Sequence, residues 1–67
     1  MDIYVNDKQT SIGGNTSILS LLKSMNIESF DGIAIGLNDL VIPRNKWESK
    51  LLTENDKILL IRASQGG

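Results

Sequence analysis

Apolar and polar residues alternate over the first five positions, with Ile3 and Val5 on one face and Asp2 and Tyr4 on the other, which predicts a half-buried strand. Asn6-Asp7-Lys8 reads as a turn and residues 9–12 as the returning arm of a hairpin, because Asn and Asp tolerate the left-handed backbone of tight hairpin turns. Gly13-Gly14-Asn15-Thr16 breaks the alternation, and Asn15 or Thr16 is expected to cap the helix that follows. In that helix Ile18, Leu21, Leu22 and Met25 recur at i, i+3, i+4 and i+7, so all four are expected in the core, with Ser20, Lys23 and Ser24 facing away.

Residues 26–32 connect to a second period-two stretch, in which Ile33, Ile35 and Leu37 alternate with the small Ala34 and Gly36. Asn38-Asp39 is the next turn. Residues 40–42 form a short strand that Pro43 ends, since proline has no amide to give to a ladder. Residues 44–47 are long enough for one helical turn, with Trp47 folding back onto the core. After Leu51 and Leu52 comes the polar turn 53–56, then a last strand over 57–62. The order is that of an α+β fold, a mostly antiparallel sheet on one main helix. The first and last strands become parallel neighbours if the last returns beside the first. Residues 1–62 read as one domain and 63–67 as a tail.

Sixty-seven residues permit only one small core, and the chain has no Cys or His to add a disulfide, an imidazole or a Cys-based metal site. Seven basic and eight acidic residues give a net charge of −1, spread without clusters. Nucleic acid and membrane are therefore disfavoured as partners, and a cytoplasmic location is the default expectation. Tyr4, Phe30 and Trp47 are too scattered to stack bases. The acidic residues Asp7, Asp39, Glu54 and Asp56 fall in expected turns, where solvation and local capping account for them.

The end of the chain carries the candidate chemistry. Ala63, Ser64, Gln65, Gly66 and Gly67 follow a strongly apolar strand and offer nothing to bury, so this segment is expected to be mobile in the free protein. Extended at about 3.3 Å per residue, it carries the Gly67 carboxylate roughly 16 Å beyond the sheet. Glycines lack a Cβ and thread narrow channels, at an ordering cost of roughly 1–2 kcal/mol each. A carboxylate is a poor electrophile and needs outside activation. No phosphate-cradling glycine loop with an adjacent Lys is present, so the chain is expected to bind no cofactor itself. A frayed terminus is the plain alternative.

Three segments carry a resemblance over nearly the full length: Gly36 to Trp47 (GLNDLVIPRNKW), Leu51 to Arg62 (LLTENDKILLIR) and the ending ASQGG. They resemble the ThiS family, sulfur carriers of thiamine biosynthesis with the ubiquitin-like β-grasp fold. MDIYV and the closing strand into Gly-Gly are similar, more loosely, to ubiquitin. Asn55-Asp56 departs from the family's usual Gly-Asp, an acceptable exchange in a turn. The resemblance implies a carrier that is not an enzyme. A ThiF-type adenylyltransferase using ATP and Mg would adenylylate Gly67, sulfur from a cysteine desulfurase system would replace AMP to leave a thiocarboxylate, and a ThiG-type thiazole synthase would receive it. Residues 63–66 would enter the partners' active sites.

Ile58 to Ile61 are consecutive apolar residues, and a strand buries only alternate ones against one helix. By similarity to ubiquitin, Ile58 and Leu60 point inward and Leu59 and Ile61 outward. Leu59 and Ile61, with Arg62 at the edge, are then the expected partner-binding patch. Exposed apolar residues without function are the plain reading of the same pair. The small subunit of molybdopterin synthase, a ubiquitin-like modifier and a binding module with an incidental Gly-Gly end are the other readings.

Overall fold

Asp2–Val5 (β1) and Lys8–Ser11 (β2) pair antiparallel across Asn6 and Asp7, which hold φ of 49° and 68°. Positive φ at both central residues makes the tight two-residue turn whose twist matches that of paired strands. This turn sets Val5 opposite Lys8, so the second arm begins and ends one residue earlier than expected. Ile33–Leu37 (β3) and Leu40–Ile42 (β4) repeat the solution, with Asn38 and Asp39 at 48° and 72°. A computed structural model describes residues 1–27 and 29–63.

Between the hairpins lies one helix, Ile18–Ser24 (α1). Its cap is Ser17, not Asn15 or Thr16: the Ser17 hydroxyl accepts from the Ser20 N–H at 3.1 Å. Asn15 is committed to a left-handed turn at φ 58°, and the Thr16 hydroxyl donates to Gly13 O at 2.7 Å, closing the loop before the helix. Carbonyls from the distant segment after Pro43 satisfy other free amides of the first turn: Ile18 N–H donates to Lys50 O at 3.1 Å and Leu19 N–H to Trp47 O at 3.0 Å. Ile18, Leu21 and Leu22 are buried as their spacing requires, whereas Met25 is 42% exposed. The expectation of a core Met25 fails because the helix stops short of it. Met25 is the C-cap residue, and Asn26 at φ 60° turns the chain away.

The final strand, Lys57–Arg62 (β5), enters the middle of the sheet, giving the order β2-β1-β5-β3-β4. It runs parallel to β1, with Tyr4 opposite Lys57 and Val5 opposite Ile58, and antiparallel to β3 from Leu37–Ile58 to Ile33–Arg62. Ile3, Val5, Ile35, Leu37 and Ile58 bury against the three helix residues, closed off by Leu52 and Trp47. The single turn of 3₁₀-helix, Arg44–Lys46, delivers Trp47, which is 2% exposed and donates its indole N–H to Ile42 O at 2.9 Å. Phe30 meets Trp47 edge-on, with centroids 5.9 Å apart. Pro43 ends β4 as expected. Arg44 lies over the Phe30 ring at 5.6 Å and pairs with Asp31 at 3.4 Å, an exposed pair of the kind that contributes little stability.

In denaturant unfolding, Leu22→Ala is expected to cost about 2–5 kcal/mol, and Met25→Ala less than about 1 kcal/mol. Equal losses would place Met25 back in the core.

Candidate functional site

Everything that leads to the chain's end is organised around β5. Its first residues are anchored by Asp56, which is only 8% exposed. The Asp56 carboxylate accepts from Thr53 N–H at 2.7 Å, from the Thr53 hydroxyl at 3.0 Å and from Asn38 Nδ2–H at 3.0 Å. Asn38 in turn brackets Lys57, donating its N–H to Lys57 O at 2.9 Å while its Oδ1 accepts from Lys57 N–H at 3.0 Å. Burial pushes the Asp56 carboxyl upward and is the largest single influence. The Thr53 amide, the Asn38 amide, the Thr53 hydroxyl and the Lys50 charge together outweigh it and hold the group below its ordinary value. The turn position of Asp56 was legible in the sequence; its burial, created by two loops distant in sequence, was not.

Further along, alternation sorts the strand as expected: Ile58 is buried and Leu60 packs against the core, while Leu59 and Ile61 are 54% and 52% exposed on the other face. Their neighbours on β3 are small. Leu59 lies opposite Gly36 and Ile61 opposite Ala34, so no large side chain of β3 covers either. A Cβ at Gly36 would stand 3.7 Å from that of Leu59, and Gly36 itself faces Val41 of β4. Tyr4, Ala34, Gly36, Val41, Leu59 and Ile61 line a groove of about 400 Å³ across this outer face. Val41, 79% exposed and opposite Gly36, extends the apolar surface beyond the residues singled out from the sequence, whereas Leu40, opposite the buried Leu37, falls on the helix side of the sheet. The signal for Val41 was present, since Leu40 to Ile42 is also an unbroken apolar run.

Arg62 does not join this face. Its register opposite Ile33 puts it on the helix side of the sheet, at the strand's exposed end. Ala63 extends the pairing by one residue, its N–H donating to Gly32 O at 2.7 Å. Ser64, Gln65, Gly66 and Gly67, four of the five tail residues, lie outside the described residues. Among the described residues no group of His, Cys, Asp and Glu is arranged to hold a metal ion, and no helix is long and apolar enough to cross a membrane.

A five-stranded mixed sheet on one helix, with its last strand central and running out toward Gly-Gly, defines a protein of the ubiquitin-like β-grasp class. The profile of the ThiS family matches residues 2–67, and the chain belongs to that family. It is 27% identical to the sulfur carrier protein ThiS of Escherichia coli (strain K12) over 67 residues, all of both chains. The crystal structure of a ThiS thiamine biosynthesis protein from Geobacter metallireducens superposes with a TM-score of 0.83 at 20% identity, covering all of both chains. A solution structure of a thiamine biosynthesis protein from the same organism gives 0.79 at 20% identity, covering the whole of this chain and 88% of the other.

Two outcomes follow from the geometry. Because the folded pKa of Asp56 lies below the unfolded one, its contribution to stability is complete above about 3.9, the unfolded carboxylate value, and is lost as the pH falls through the folded value. Asp56→Asn should lose about 1–3 kcal/mol at neutral pH and flatten that acid limb, as thermal melts at a series of pH values will read. Replacing Leu59 and Ile61 together by Ser should leave cooperative unfolding intact, changing stability by less than about 1 kcal/mol. Loss of the transition would put these side chains in the core.

Proposed function

We propose that this protein is a sulfur carrier for the thiazole part of thiamine biosynthesis, with the carboxylate of Gly67 as its working group. The observation that carries the reading is the path of β5. The central strand of a ThiS-family body shows Leu59 and Ile61 on an open face and continues through Ala63 directly into Ser64-Gln65-Gly66-Gly67. With Ala63 held at Gly32, the four residues beyond it reach at most about 13 Å, enough to enter a partner's active site while the body stays outside.

The chemistry needs no catalytic side chain from this protein. The Gly67 carboxylate attacks the α-phosphorus of ATP, held with Mg by a ThiF-type adenylyltransferase, and pyrophosphate leaves. The acyl adenylate is a mixed anhydride with AMP as a good leaving group. The outer sulfur of a persulfide, drawn ultimately from cysteine through a desulfurase system, displaces AMP to give an acyl disulfide, and a second thiol of the donor cleaves that S–S bond, leaving a thiocarboxylate on Gly67 and a disulfide on the donor. Its sulfur is a better nucleophile than the oxygen it replaced, and a ThiG-type thiazole synthase accepts it. Leu59 and Ile61, flanked by Val41, form the docking face for the activating enzyme. Arg62 places a positive charge beside the root of the tail, on the opposite side of the strand.

Incubation with the activating enzyme, ATP and a sulfur source is expected to raise the intact mass by the difference between one sulfur and one oxygen, located at Gly67 by fragmentation. Deleting Gly67 should abolish the change. An unaltered mass in the intact chain would refute the carrier reading.

A further inference from the structure

Asn6 has a side-chain arrangement that its turn does not require. Its backbone, at φ 49°, takes the chain out of the sheet after Val5, and its N–H still donates to Ile58 O at 2.9 Å. The side chain then reaches the next backbone pair along the same edge of β5: Oδ1 accepts from Leu60 N–H at 2.8 Å, and Nδ2–H donates to Leu60 O at 3.3 Å. A carboxamide carries the same donor and acceptor as a peptide group, so it stands where one more residue of a parallel neighbour would stand. The backbone register of β1 with β5 covers only Tyr4–Lys57 and Val5–Ile58. Glycine would satisfy the positive φ equally well, so the turn accounts for the conformation and not for the amide.

The residues on either side of Leu60 are Leu59 and Ile61, the two that face outward. From Leu60 onward, β1 offers no backbone to this edge of β5, and the strand continues on β3 through Ile61, Arg62 and Ala63. We propose that Asn6 is a positioning residue for docking: its amide holds Leu60 so that Leu59 and Ile61 are presented at fixed spacing. This rests on the docking face assigned above. Without the clamp a partner must order the strand as it binds, which weakens capture of the carrier and leaves chemistry at the bound terminus unchanged.

Asn6→Gly is the informative variant, since it keeps the positive φ and removes both side-chain bonds. Two measurements test it: carrier-dependent ATP–pyrophosphate exchange by the ThiF-type activating enzyme, and backbone amide hydrogen exchange followed by NMR. With two hydrogen bonds removed, KM for the carrier should rise about tenfold while kcat stays within about twofold. The Leu60 amide should exchange about tenfold faster, with those of Leu22 and Ile35 unchanged. An unchanged KM, a fall in kcat at constant KM, or equal acceleration at all amides would overturn the assignment. In the unaltered protein, a Leu60 amide exchanging at the rate of a free peptide would overturn it however the variant folds. Failure of the unaltered chain to support exchange would instead remove the docking reading itself, and the role of Asn6 with it.

Discussion

The structure depends on a last strand that must be held in the middle of a sheet whose other strands precede it in the chain. β5 joins β1 in parallel and β3 antiparallel, so neither the β1–β2 nor the β3–β4 hairpin shares a full sheet with the other until it arrives. Parallel pairing demands a long crossover, and here the helix and the second hairpin lie between β1 and β5. Ile58 sits at the junction, buried between residues of both hairpins and the helix. Closure of the fold and placement of the strand that ends at Arg62 are therefore the same event.

Polar side chains complete that closure where backbone pairing ends. Asn38 brackets Lys57 from the β3 side and Asn6 brackets Leu60 from the β1 side, each working from the first position of a two-residue turn. Asp56 ties the Asn38 turn to the loop at Thr53. A domain of 67 residues has little apolar area to spend on such joints. Carboxamides and a carboxylate give directional bonds at places where another apolar residue would find no complete core to enter.

The same arrangement leaves one face of the sheet uncovered. A single helix shields one side, and on the other Ala34 and Gly36 are too small to screen Leu59 and Ile61. The protein thus divides into a buried layer that holds the fold and an exposed apolar face on the other side of the sheet.

Period-two alternation at Ile3/Val5 and Ile33/Ile35/Leu37, the Asn-Asp turns, the stop at Pro43 and the inward Trp47 were all legible in the sequence, because each depends on residues within a turn or two of one another. The resemblance added the phase of β5. The Leu40–Ile42 apolar run and the alternation of β5 carried the signal for the outward Val41 and for the side on which Arg62 falls, whereas tertiary structure alone decided the Ser17 cap, the exposure of Met25 and the burial of Asp56. Each of those depends on a partner many residues away or on where an element stops. Local pattern describes which face a residue takes while its element lasts, but the end of the element and the arrival of a distant neighbour determine what that face meets.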